Sequence, residues 1–146
     1  MTKPEAYTKE LEKAGVVYGL GSKVPHLGCD LVDIEKIDCS GFVRDCLYRT
    51  LGRPADFDLP DGSVQQHEYF ESHGFKRSTP ADALNKDGIF RIAFLDPKDG
   101  GGIGHVLLIF KGFTFESHAH HGPGSRRWMS EPKWMSLMQI YVVSRV

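Results

Sequence analysis

The sequence predicts an α+β domain in which helices come first and an antiparallel sheet follows. Three stretches carry that expectation. Behind an Asp38-Cys39-Ser40-Gly41 turn, apolar side chains at Phe42, Val43, Cys46, Leu47 and Leu51 recur at helical spacing, so a helix with one buried face begins there. Ile89 to Leu95 mixes aromatic and β-branched residues and runs into Asp96-Pro97-Lys98-Asp99-Gly100-Gly101-Gly102, a loop by composition. His105 to Phe110 and Phe113 to His118 flank Lys111-Gly112, a short link ending in glycine, which reads as a β-hairpin.

The remaining elements follow in order. Residues 4 to 14 are helix formers, with Ala6, Leu11 and Ala14 as a modest apolar stripe and Gly15 as the stop. Val16-Val17-Tyr18 is a brief extended segment leading to Gly19 and Gly21. Residues 22 to 37 form an irregular approach, and a loop of that length inside a compact domain is commonly functional, here as one wall of a cleft. Gly52-Arg53-Pro54 ends the Cys39 helix, and 54 to 62 is a polar loop. Val64 to Ser72 is a second helix, with Ser63 as its cap and Val64, His67 and Phe70 on its inner side. His67 and His73 read as surface or cap residues rather than ligands. Ile140-Tyr141-Val142-Val143 is the last strand, and there is no internal repeat.

Composition bounds the function class. A chain of 146 residues, 40% hydrophobic, 25% charged and with net charge −1, fits one domain (residues 1–146) with a core that needs no staples. That balance gives no reason to expect nucleic acid or an anionic membrane as the main partner, and a monomer is expected. No run approaches the roughly 20 apolar residues of a membrane helix, and the N-terminus lacks a signal-peptide core. The expectation is a protein cytoplasmic as synthesised, or phage-associated or secreted by a signal-independent route. The cysteines are Cys29, Cys39 and Cys46, an odd set. On one helix Cys39 and Cys46 would lie about 10 Å apart, beyond disulfide reach; a Cys29–Cys39 bridge is possible but would mask the candidate nucleophile Cys39, and free thiols are expected.

Cys39 stands where a helix begins. Unpaired backbone N–H groups and the positive end of the dipole favour thiolate there, and the thiolate is the nucleophile. The small Ser40 and Gly41 would leave room for a substrate backbone. A lone cysteine at such a place is usually a small buried hydrophobe. What favours chemistry is Gly102-Ile103-Gly104-His105-Val106, a glycine-rich loop entering a buried strand with a histidine at the entry, because a cysteine nucleophile needs a base.

With these residues in view, Asp38-Cys39-Ser40-Gly41-Phe42-Val43 followed by Gly104-His105-Val106 resembles the NlpC-type family of cell-wall cysteine peptidases, papain-like enzymes that cut bacterial peptidoglycan stem peptides. Tyr18-Gly19-Leu20-Gly21-Ser22 is similar to the stretch that family places before its nucleophile. Asp87-Gly88-Ile89-Phe90 resembles its Gly-Asp strand with the two residues exchanged. The resemblance spans roughly residues 15 to 130. It implies a papain-like NlpC-type fold, with the Cys helix packed on a central antiparallel β-sheet, and hydrolysis through an acyl-enzyme with no cofactor. Cys39 would be the nucleophile, His105 its partner and Tyr18 a neighbour of the cysteine, though Tyr18 also reads as a half-buried core aromatic. Against the family's hairpin this one is a residue shorter, which puts Glu116 at the third polar position, with His118 next in order and His120 after it. The scissile bond would join D-glutamate to a diamino acid. Arg126 and Arg127, after Gly122-Pro123-Gly124-Ser125, are candidates to bind a stem-peptide carboxylate, though an arginine pair also reads as solvated surface.

Two other readings compete. His118, His120 and His121, with His105 and a cysteine, are raw material for zinc, but no paired metal-ligand spacing is present, and no metal is expected. The fold could also serve a papain-like acyltransferase or deamidase, or a non-catalytic wall-binding module. A pure binding module has no need of both Cys39 and His105.

Overall fold

A computed structural model describes residues 3–145. Its architecture is α+β. Helix α1 (Pro4–Lys13) leads to a short strand β1 (Val17–Tyr18), an irregular segment, strand β2 (Lys36–Ile37) and helix α2 (Cys39–Thr50). Helix α3 (Ser63–Ser72) and strand β3 (Arg77–Ser78) precede the long strands β4 (Ile89–Leu95), β5 (His105–Phe110) and β6 (Phe113–His118). Strand β7 (Gly122–Gly124), the one-turn helix α4 (Pro132–Met135) and strand β8 (Gln139–Arg145) complete the chain. Six strands form one sheet in the order β3-β8-β4-β5-β6-β7, antiparallel at each named pairing. Among the described residues no helix is long and apolar enough to cross a membrane.

The β5–β6 hairpin turns as its sequence predicts. Phe110 pairs with Phe113, and both link residues have positive φ, 51° at Lys111 and 82° at Gly112, the twist a two-residue hairpin requires. Along β4, Phe90, Ile92 and Phe94 join Phe42, Val43, Cys46 and Leu47 of α2 in the main core. Ala93 and Leu95 project the other way, into a second cluster with Trp128, Met135 and Met138. The sheet is therefore covered on both faces, which is why its central strands are apolar at nearly every position.

Several local expectations are corrected. The buried stripe of α1 is Pro4, Tyr7, Thr8 and Leu11, at i, i+3, i+4 and i+7, while Ala6 and Ala14 are exposed. Gly62, with φ 89°, caps α3, and Ser63 is its first helical residue without a side-chain capping bond. Gln66 and Phe70 face inward; Val64 is exposed. His67 is an interior partner, stacked on Phe94 at 4.8 Å with its ring nitrogen 3.1 Å from the Tyr141 hydroxyl. His73 is the helix C-cap, as the sequence suggests. The approach to Cys39 contains β2, which pairs in parallel with β1 so that Tyr18 lies opposite Ile37. Two-residue strands have no periodicity to read.

Candidate active site

The α2 N-terminus is built around Asp38. Its carboxylate accepts the Gly41 N–H at 2.7 Å as the helix cap, and Cys39 is the first helical residue. Lys23, on the irregular approach, donates to both Asp38 and the Ser40 hydroxyl, the latter at 2.7 Å. Ser40 is 2% exposed; it donates to Asp38 at 3.2 Å and accepts the Gly62 N–H at 3.3 Å. A Cβ on Gly41 would meet Asp38 Oδ1 at 3.0 Å and the Ser22 carbonyl at 3.1 Å. The small residues after Cys39 thus make room for the Ser22-Lys23 loop rather than for a substrate, and the Ser40 side chain is turned into that network. Gln66 Nε2 donates to the Ser40 carbonyl at 3.1 Å and ties α3 to the same turn.

His105, at the entry to β5, is held by Glu116 of β6, its Nε2 2.9 Å from Glu116 Oε1. The neighbouring Cys39 also favours the charged imidazole. Burial works against a charged His105, but these interactions with Cys39 and Glu116 outweigh it and raise its pKa to about 9. Burial likewise opposes a charged Glu116, yet His105, Arg126 and Thr114 hold its carboxyl down to about 2. The arrangement is an imidazolium–carboxylate pair beside a thiol.

Of the three residues read from sequence as candidates to hold His105, Glu116 makes the hydrogen bond. His118 lies two residues along β6, its ring edge-on to His105 at 5.7 Å, with Nδ1 buried and without a partner among the described residues. Burial lowers its pKa, so it is neutral near pH 7. His120 is exposed. Arg126 is committed internally, donating to both Glu116 oxygens at 3.1 Å and to Glu131 at 2.9 Å, instead of standing ready for a substrate carboxylate. Arg127 is exposed.

A groove of about 320 Å³ opens onto His105, walled by Tyr18, Leu20, Ile103, His118 and Trp134. Leu20 and Ile103 are apolar residues exposed at its rim. Tyr18 is half-buried; burial, then the neighbouring Cys39 and Asp38, raise its phenol, so it keeps its proton near pH 7. Cys39, at the start of α2, is 6% exposed. All three cysteines are free thiols. Among the described residues, no group of three or more His, Cys, Asp or Glu side chains could hold a metal ion.

The sequence reading missed Lys23, Glu131 and Trp134. Glu131-Pro132 at a helix start was the legible signal: proline fits the first turn, which brings Trp134 over its preceding acid, and the indole N–H donates to Glu131.

No protein-family model and no curated protein matches this sequence. Among solved structures the chain is similar to the P60 domain of antigen MAP1204 from M. avium subspecies paratuberculosis, at 18% identity and a TM-score of 0.49, over 98% of this chain and 97% of that one.

Proposed function

We propose that this protein is a cysteine hydrolase of the NlpC type that cuts peptidoglycan stem peptides. The observation that carries the reading is the His105 imidazole, which lines a groove, is held by Glu116 at 2.9 Å and has Cys39 as a neighbour that favours its charged form. A dead binding module gains nothing from a buried imidazolium next to a cysteine.

The chemistry follows from the parts. The Cys39 thiolate adds to a peptide carbonyl carbon, and the oxyanion accepts hydrogen bonds from backbone N–H groups at the start of α2, which have no acceptor within the helix, and from the Tyr18 phenol. As the C–N bond breaks, His105 gives its proton to the leaving amine, and an acyl-thioester remains on Cys39. Neutral His105 then takes a proton from water, whose oxygen adds to the thioester carbonyl and expels the thiolate. Glu116 holds the imidazole orientation throughout. The apolar rim of Leu20 and Ile103 suits the aliphatic parts of an extended peptide. The motif resemblance assigns that bond to D-glutamate and a diamino acid.

The test is mass spectrometry of defined muropeptides incubated with wild type and Cys39→Ser. Cleavage by wild type alone is expected, with water added across one peptide bond. An acyl conjugate to an added amine would point to a transferase, and conversion of an amide to an acid to a deamidase. Absence of any Cys39-dependent product overturns the reading.

A further inference from the structure

Glu116 poses a physical problem that its neighbours solve. The residue is 2% exposed, and a buried carboxylate without strong donors takes up a proton rather than remain charged. His105 covers part of Oε1, at 2.9 Å. Arg126 supplies the rest: Nη2 donates to Oε1 and Nε to Oε2, each at 3.1 Å, the two-point geometry that fixes a carboxylate in a plane. Arg126 is anchored in turn. Its Nη1 is 2.9 Å from Glu131, and the Trp134 ring lies 4.9 Å from the guanidinium carbon. Trp134 also meets the His105 ring edge-on at 5.9 Å, closing the circuit from imidazole to carboxylate to guanidinium to indole.

We propose that Arg126 is a positioning residue for the Cys39–His105 pair: its two-point grip on the Glu116 oxygens holds that carboxylate in the orientation in which it meets His105, and so fixes the imidazole beside the thiol. The proposal rests on the cysteine-hydrolase reading and deepens it.

The surrounding charges agree. Arg126 acts directly on Glu116, whereas His105 responds chiefly to burial, Cys39 and Glu116, so the influence of Arg126 passes through the carboxylate. The other titratable groups facing the cluster are Tyr18 on β1, Asp38 before α2, His118 on β6, His121 before β7 and Glu131 before α4. His118 is neutral near pH 7, as is Tyr18, and Asp38 is paired with Lys23. Glu131 is taken up by Arg126 and Trp134, which leaves Arg126 as the permanent cation at Glu116.

The experiment compares wild type with Arg126→Gln, Arg126→Lys and Glu131→Gln by two readouts. These are the His105 titration followed by NMR of its ring carbons, and the rate of Cys39 alkylation by iodoacetamide across pH. In Arg126→Gln the His105 ring-carbon shifts are expected to show its bond to Glu116 loosened and Cys39 alkylation at neutral pH to slow about tenfold, while the His105 midpoint rises rather than falls, because Glu116 stays ionised beside the imidazole and a neighbouring cation has gone. Arg126→Lys keeps the charge at a single point and should fall between. Glu131→Gln, which loosens only the anchor, should slow alkylation in the same way by less. If Arg126→Gln does not fold, Arg126→Lys decides. His105 ring-carbon shifts and Cys39 alkylation unchanged from wild type in the folded Arg126 variants overturn the proposal. Wild-type Cys39 reacting no faster than Cys29 and Cys46 would instead sink the hydrolase reading, while the His105 ring-carbon shifts still report whether Arg126 acts through Glu116.

Discussion

The Ser117 hydroxyl donates to the Ile37 carbonyl at 2.8 Å, joining residues 80 positions apart. Ile37 ends β2 immediately before the Asp38 cap, and Ser117 stands between Glu116 and His118 on β6. One buried hydrogen bond therefore ties the strand that carries the carboxylate to the turn that carries the thiol.

Ser117→Ala should loosen that tie. The Ile37 carbonyl loses a buried donor, for an expected cost of about 1–2 kcal/mol in urea unfolding. Alkylation of Cys39 should also slow while that of Cys29 and Cys46 does not. A variant with wild-type stability and alkylation rates would show that the bond positions nothing.

The three thiols should react unequally. Burial raises the Cys46 thiol to about 12 and also raises Cys29, so near neutral pH both stay protonated. Brief iodoacetamide treatment followed by peptide mapping is expected to mark Cys39 on the order of tenfold faster than either, with the advantage lost in His105→Ala. Equal labelling would contradict an activated Cys39.

Stability should follow the His105–Glu116 pair through two pH windows. His105 has a raised value, about 9 against 6.5, so its contribution is fully present below about pH 6.5 and is lost as pH rises through about 9. Glu116 has a lowered value, about 2 against 4.5, so its contribution is present above about pH 4.5 and is lost as pH falls through about 2. Urea midpoints should be highest between those windows, with a decline on the order of 2 kcal/mol on either side. Glu116→Gln should flatten both limbs, and a variant with the same profile as wild type would refute this assignment.

A second buried ion pair supports the approach to the site. Asp45 accepts from the Tyr7 hydroxyl at 2.6 Å, the Gly28 N–H at 2.8 Å and Arg49 Nε at 2.9 Å, and Arg49 donates onward to the Cys29 carbonyl. Asp45→Ala strands a buried guanidinium and is expected to cost about 3–5 kcal/mol by chemical denaturation. A loss below about 1 kcal/mol would mean that the 22–37 segment is held by other contacts.

Much of this was legible in the chain, because the signals were local. The α2 stripe of Phe42, Val43, Cys46 and Leu47, the Asp38 turn and the Lys111-Gly112 link each depend on residues within a few positions of one another, and periodicity and turn chemistry report such relations. The α1 face was misread because Tyr7 and Thr8, an aromatic and a hydroxyl, fill positions that an apolar count assigns to alanine. The inward Gln66 was missed for a related reason: a polar residue is interior only when a partner is folded against it, and its partner is the Ser40 carbonyl.

From sequence alone came an α+β chain with a cysteine opening a capped helix, a histidine opening a strand, and three candidates to hold that histidine. Tertiary structure decided among them: Glu116 takes the His105 bond, His118 stands aside neutral, and Arg126 is spent on Glu116 and Glu131. It also turned Ser40 inward and set Tyr18 across from Ile37. The reason is physical. Which of several polar side chains satisfies a buried group is settled by the register and packing of segments distant in the chain, and local propensity carries no record of that distance.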